Sequence, residues 1–238
     1  MPKTRFLLAS VLAGAAVALS PLVATAQVAD QNAGQGVGEH ASGPQQLVDQ
    51  STQVVKRMQQ DPDLGALMAR AQGVLIIPNY GKGAFTVGAR SGEGVLLVHE
   101  NSGRWSNPAF YTLAGGGQIG GEVGPIAYIL MSPHAVSSLA GAQNVALNPH
   151  AGLTIATWSK KTKTKSDLGA ADIVLWSGAA KGTKPKPSVA VGGKSLSQDF
   201  AANDQYYRAR NLDTVAVLQG RVFNPGAAPL QESLSAFG

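Results

Sequence analysis

The spacing of apolar positions changes several times along this chain. From Phe6 to Leu19 apolar and small residues run without interruption for 14 positions. From Gln45 to Gln60 they recur at helical spacing. At 100° per residue, Leu47, Val48, Val54, Val55 and Met58 fall within an arc of about 120°, with Lys56 and Arg57 on the far side and Ser51 inside the arc. Asp61-Pro62 then reads as an N-cap followed by proline at the first helical position. Leu64, Leu67, Met68 and Ala71 continue at i, i+3, i+4 and i+7, the pattern of a second, short helix.

At Gly73 the texture becomes β-like. The runs Gly73–Pro78, Ala84–Ala89, Gly94–His99 and Ala109–Leu113 are the clearest strand candidates, and Asn101-Ser102-Gly103 reads as a turn between the last two. Such close spacing leaves no room for crossover helices, so the pairing is expected to be mostly antiparallel. Pro125–Ser132 is an apolar run that periodicity alone cannot assign, and Pro133–Ala142 reads as a short helix. Leu153–Lys160, Asp172–Ser177 and Ser188–Val191 are further strand candidates. Gln198–Asn211 has helical composition, and Thr214–Leu218 is a short apolar run. These elements predict one α+β domain over residues 45–222. It would be a mostly antiparallel, glycine-rich sheet or partly closed barrel with flanking helices. The polar, proline-containing residues 223–238 are expected to form a loose tail.

The segments before the domain read differently. Residues 1–26 resemble a secretory signal: Lys3 and Arg5 precede the apolar stretch, Pro21 breaks it, and Ala24-Thr25-Ala26 offers a small-x-small cleavage site. The stretch is shorter than the roughly 20 residues a membrane span needs. Gln27 stands where a lipoprotein would carry cysteine. Residues 27–44, rich in Gly, Gln and Ala, read as a disordered leader. An exported chain with neither cysteine nor an Asn-x-Ser/Thr sequon is expected to be periplasmic or secreted.

Composition narrows the chemistry. The absence of cysteine removes disulfides, thiolate metal sites and thiol nucleophiles. Gly115-Gly116-Gly117-Gln118-Ile119-Gly120 satisfies G-x-G-x-x-G, but no acidic residue lies between Glu122 and Asp167 to hold a ribose. In so glycine-rich a region the string is better read as bulges, tight turns or close backbone approach within a sheet. Gly193-Lys194-Ser195 ends like a phosphate-binding loop, yet Ser188 occupies the position its first glycine needs. His40, His99, His134 and His150 share no metal-ligand spacing and read as surface or turn residues. Asp61 and Asp63 bracket a proline at a helix start, where capping accounts for them. No G-x-S-x-G or S-x-x-K string occurs. No catalytic residue, metal or cofactor is expected.

Charge supplies the positive signal. Removing residues 1–26 lowers the net charge from +5 to +3, and that value is unevenly distributed. Eight of the eleven lysines lie between Ser159 and Lys194: Lys160, Lys161, Lys163, Lys165, Lys181, Lys184, Lys186 and Lys194. Only Asp167 and Asp172 oppose them, so the stretch carries +6. If Trp158–Lys165 is extended, Lys161, Lys163 and Lys165 project to one side, a spacing suited to anionic head groups. The alternative is a solvated loop, or an edge strand protected by lysines. Nucleic acid is disfavoured, because the stretch offers only Trp158 and Trp176 for base stacking. Lys56 and Arg57 could reach head groups if the amphipathic helix lay in a membrane interface. Packing of that helix on the domain is the favoured reading.

The string Gly103-Arg104-Trp105-Ser106-Asn107-Pro108-Ala109-Phe110, preceded by VGARSGEGVLLVHE and followed by GGGQIGGEVG, closely resembles the SYLF family, known from yeast actin-patch proteins. Gly103, Trp105, Ser106 and Pro108 carry the core of the motif. Asp172–Ser177 and Gln205-Tyr206-Tyr207 match less specific later positions, and the likeness runs from about Asp63 to Gly220. The resemblance implies a lipid-binding, non-enzymatic domain whose eukaryotic relatives recognise phosphoinositides and in some cases actin. No SH3 or FYVE module is read in this sequence. A periplasmic setting would make phosphatidylglycerol or cardiolipin the expected ligands. Trp105 and Pro108 themselves read as structural, a buried aromatic and a strand-entry proline.

The leading expectation is therefore an exported domain that binds anionic phospholipid surfaces reversibly through its lysine-rich segment. The alternative is a structural or protein-interaction module of the cell envelope, its partner unknown. A third reading, an enzyme or small-molecule carrier, would require a deep pocket with converging polar groups.

Overall fold

The most apolar strand lies well inside the sheet. β1 (Gly73–Tyr80) is buried at each of its first six positions, because helices cover both faces of the sheet beside it. The computed structural model describes residues 43–80, 90–100, 102–115, 124–147, 152–158, 168, 170–178 and 194–237. The expected signal, nearly all of the leader, the strand candidates at 84–89 and 188–191, and the glycine string beyond Gly115 lie outside the described residues.

Within them, β1 is joined by β2 (Arg90–Val98), β3 (Ala109–Gly115), β4 (Gly124–Leu130), β5 (Asn144–Ala146), β6 (Ile155–Thr157), β7 (Ile173–Ser177) and β8 (Lys194–Gln198). Their order across the sheet is β5-β8-β3-β2-β1-β4-β7-β6, curled into a half-barrel. Six of the seven pairings are antiparallel, and only β6 pairs parallel, with β7. The fold is a single α+β domain, as the sequence predicts. One glycine is required by close approach: a Cβ on Gly94 would stand 2.5 Å from the Ile76 carbonyl oxygen, a contact between neighbouring strand backbones.

Six helices flank the sheet among the described residues: α1 (Pro44–Met58), α2 (Gly65–Met68), α3 (Pro133–Gly141), α4 (Phe200–Tyr207), α5 (Thr214–Leu218) and α6 (Ala228–Ser235). Alternate strand residues divide the core in two. Val74, Ile76, Val95, Leu97 and Ile129 face α1, α2 and α6, whereas Leu75, Ile77, Leu96, Tyr128 and Leu130 face α3 and α5. The apolar arc of α1 is fully used in this packing. Leu47, Val48, Val54, Val55 and Met58 are buried. Ser51 and Thr52, also buried, donate their hydroxyls to the Leu47 and Val48 carbonyls one turn back, at 2.8 and 3.0 Å.

Some expectations need correction. Residues 223–237 are not a loose tail: a 3-10 turn at Pro225–Ala227 leads into α6, whose Leu230 and Leu234 are buried against the α1 layer. The polar side chains between them kept the amphipathic signal weak. Thr214–Leu218, an apolar run given no element by its sequence, forms a helix, capped by the Asp213 carboxylate accepting from Val215 N at 3.2 Å. Of the strand expected over Leu153–Lys160, the described residues form strand at Ile155–Thr157. Pro125–Ser132, left unassigned by periodicity, supplies β4, and Ser132 caps α3 by accepting from Ala135 N at 3.1 Å.

Candidate functional site

The Gly103–Pro108 motif is a junction. Gly103 adopts φ +79° in the turn after β2, where its amide donates to the Glu100 carbonyl at 2.9 Å. Trp105 is 6% exposed and stacks on His99, with ring centroids 5.0 Å apart. Ser106 extends the ladder to β2 with both backbone and side chain. Its amide donates to the Val98 carbonyl at 2.8 Å, and its hydroxyl accepts from Val98 N at 2.9 Å. The same hydroxyl donates to the Asn107 carbonyl at 3.0 Å. Buried Pro108 immediately precedes β3.

The remaining polar groups of the motif face the C-terminal segment. Gln231 Nε2 donates to the carbonyls of Trp105 and Ser106, at 3.1 and 3.0 Å. Asn107 Nδ2 donates to the Val222 carbonyl at 2.7 Å, and the Tyr207 hydroxyl donates to the Pro108 carbonyl at 2.7 Å. Burial pushes the Tyr207 phenol well above its ordinary range, so it remains a donor. The motif therefore fastens α4 and α6 to the sheet. Of these partners, the sequence pointed to Tyr207 through the late tyrosine pair, but not to Gln231.

The expected basic site is placed in part. Lys56 and Arg57 are exposed in the last turn of α1, where their charge also complements the helix dipole. Lys160, Lys161, Lys163, Lys165, Lys181, Lys184 and Lys186 lie outside the described residues. Their described flanks converge on the same helix end. Trp158, which precedes the first lysine run, donates its indole N–H to Asp61 Oδ2 at 2.9 Å, three residues beyond α1. Gly178, which precedes the second, accepts from Arg57 Nη1 at 3.5 Å. Asp61 also accepts from Asp63 N at 3.2 Å, but the helix cap expected of it is not formed: α2 begins at Gly65, with Leu64 at its N-cap and no side-chain capping bond. Its use as a tether for Trp158 was not legible in the sequence.

Among the described residues no three His, Asp or Glu side chains are grouped as a metal site, and no helix is long and apolar enough to cross a membrane. His99 is occupied by Trp105, and His134 is exposed on α3.

A curled, mostly antiparallel sheet covered by helices, with Lys56 and Arg57 exposed at one helix end, defines an α+β domain. The family model described as "Las17-binding protein actin regulator", Ysc84, matches residues 111–237, and the chain belongs to this Ysc84, or SYLF, family. The match reaches through α6, in keeping with a C-terminal segment that packs as part of the domain. The chain is 28% identical over 180 residues to SH3 domain-containing YSC84-like protein 1 of Xenopus laevis, covering 72% of this chain and 51% of that relative. It is 26% identical over 165 residues to Protein YSC84 of Saccharomyces cerevisiae, covering 68% and 35%. LAS seventeen-binding protein 3 of the same yeast is 25% identical over 164 residues, covering 68% and 35%. The chain thus spans between about a third and a half of the length of these relatives.

Proposed function

We propose that the domain associates reversibly with anionic phospholipid surfaces through its lysine-rich segment, assisted by Lys56 and Arg57, at the periplasmic or extracellular side of a membrane. One observation carries the reading: the described flanks of both lysine runs, Trp158 and Gly178, are hydrogen-bonded at the end of α1 that exposes Lys56 and Arg57. The points from which the two lysine runs depart thereby lie near Lys56 and Arg57. Each basic residue near an anionic bilayer is worth on the order of 1 kcal/mol, so several acting together give binding that salt weakens.

A vesicle sedimentation assay tests the proposal. Vesicles containing phosphatidylglycerol should retain the protein at low salt and release it at about 0.5 M salt, where screening is short-ranged. Pure phosphatidylcholine should not retain it. Replacing Lys160, Lys161, Lys163 and Lys165 by alanine should weaken binding at least tenfold, and Lys56→Ala/Arg57→Ala by less. Equal binding to both vesicle types, or full binding by the four-lysine variant, would refute the electrostatic reading.

The names of the relatives favour a second reading, a module for protein partners. Las17 binding and actin regulation are attributes of those proteins, and a partner for this chain needs a surface of its own.

A further inference from the structure

A second set of basic residues lies in the C-terminal part of the chain, and its composition differs from that of the lysine-rich segment. Lys194 is the last lysine, and beyond it the basic residues are Arg208, Arg210 and Arg221. All three are exposed, and none pairs with a carboxylate among the described residues. Phe223, two residues beyond Arg221, is 76% exposed, well above Phe200 at 38%, the other exposed large apolar side chain among the described residues.

Hydrogen bonds hold the two loops bearing these residues together. Asn224 Nδ2 donates to the Tyr206 carbonyl at 2.7 Å, so Phe223 and Arg208 each lie within two residues of that link. The Val222 carbonyl is fixed by Asn107. Asp204 spends both carboxylate oxygens on the loop backbone, accepting from Asn211 N and Leu212 N at 2.8 Å each. Asp213 is engaged in capping α5. The nearby acids thus serve backbone amides and leave the guanidinium groups available. Arg208 also sits at φ +53°, in the left-handed region where glycine or asparagine would be less strained. The loop carries that cost while presenting an arginine.

A lone exposed phenylalanine is ordinary on a protein surface. Three exposed arginines, unpaired among the described residues and carried on two loops joined by the Asn224–Tyr206 hydrogen bond, are less so. Arginine is weakly hydrated and binds carboxylates through two parallel hydrogen bonds, and arginine and aromatic residues concentrate at protein–protein contacts where lysine is depleted. A bilayer needs only dispersed point charge, which the lysine segment supplies. We propose that Arg208, Arg210, Arg221 and Phe223 form a docking surface for an acidic peptide segment of a protein partner, its carboxylates on the arginines and an apolar side chain against Phe223. This surface is independent of the lipid reading, and either can fail alone.

The test is fluorescence anisotropy with a labelled nine-residue peptide, a leucine flanked on each side by four glutamates, against the full chain. Saturable binding is expected in low salt. Phe223→Ser and Arg210→Ala/Arg221→Ala should each weaken it at least fivefold, and the four-lysine variant should bind as well as the parent. Arg208→Gly should weaken peptide binding while leaving the melting temperature unchanged or higher, which separates loss of contact from loss of fold. Absence of peptide binding by the parent, or parent-like affinity in the arginine variants, overturns the proposal. So does loss of phosphatidylglycerol vesicle binding without loss of peptide binding, which would make this face a membrane contact.

Discussion

Ser106→Ala tests whether the family motif is structural. The side chain is 1% exposed, and its hydroxyl serves two backbone groups: it accepts from Val98 N at 2.9 Å and donates to the Asn107 carbonyl at 3.0 Å. Alanine removes both contacts. Stranding a buried donor costs about 1–3 kcal/mol, and the loss at the Asn107 carbonyl adds a smaller amount, so about 2–3 kcal/mol is expected. For a domain of this size the melting temperature should fall by about 4–12 °C. In urea, with a slope near 2 kcal/mol/M, the midpoint should move by about 1–1.5 M. Ser102→Ala is the internal control, because this exposed serine reaches only the Glu100 carboxylate and should change stability by less than about 0.5 kcal/mol. If the two variants unfold at the same urea concentration, Ser106 does not brace the sheet and the structural reading of the motif is wrong.

Three further perturbations probe the scaffold. Gly94→Ala places a methyl 2.5 Å from the Ile76 carbonyl oxygen, and should destabilise by at least about 2 kcal/mol in urea unfolding. Leu230→Ala should cost about 2–4 kcal/mol, measured the same way, because Leu230 is fully buried in α6; a loose C-terminal segment would instead give no change. Asp172 is held down to about 2 from an ordinary 3.8, first by the Ser132 hydroxyl and then by the amide and hydroxyl of Thr154. A carboxylate lowered on folding stabilises above its unfolded value, so this contribution should be intact near pH 5 and lost as the pH falls toward 2. With solvent screening it amounts to about 1 kcal/mol, and an Asp172→Asn variant should show a correspondingly flatter acid limb in thermal melts.

Elements that carry their own signal could be read from the sequence, and elements defined by a distant partner could not. β1 announces itself by its unbroken apolar run, and α1 by its arc. α3 follows from Ser132-Pro133, a cap followed by a proline at the start of the helix. β5 and β8 lack such marks. β5 is three residues long, and Leu196 is the buried residue described in β8, so pairing with β3 is what makes β8 a strand. α5 could not be told from a strand by five apolar-rich residues until the Asp213 cap was seen. The site divides in the same way. Gly103, Trp105, Ser106 and Pro108 stand out locally, but Gln231 meets them across 125 positions and Tyr207 across 99. The convergence of both lysine-run flanks on α1 likewise depends on how β7 and β6 sit beside β4, which no local pattern reports.

The packing of α1 bears on how a membrane would be engaged. Insertion of its apolar arc would exchange one apolar environment for another, so Leu47, Val48, Val54, Val55 and Met58 would gain little. The exchange would expose what they cover, including Val74, Ile76, Leu230 and Leu234, at about 1.5–3 kcal/mol for each large side chain. Electrostatic attraction of a few kcal/mol does not offset that loss, so binding should proceed with α1 in place. A covalent lock decides the point. Gln59 Nε2 donates to the Ser233 carbonyl at 2.7 Å, which brings the end of α1 alongside α6. The chain has no cysteine, so Gln59→Cys/Ser233→Cys joined by a short bismaleimide gives a single defined crosslink. The locked protein should bind phosphatidylglycerol vesicles within about twofold of the parent, with the same salt dependence. Loss of binding on locking, restored when the crosslinker is omitted, would show that α1 must leave the domain and would overturn the surface-charge mechanism.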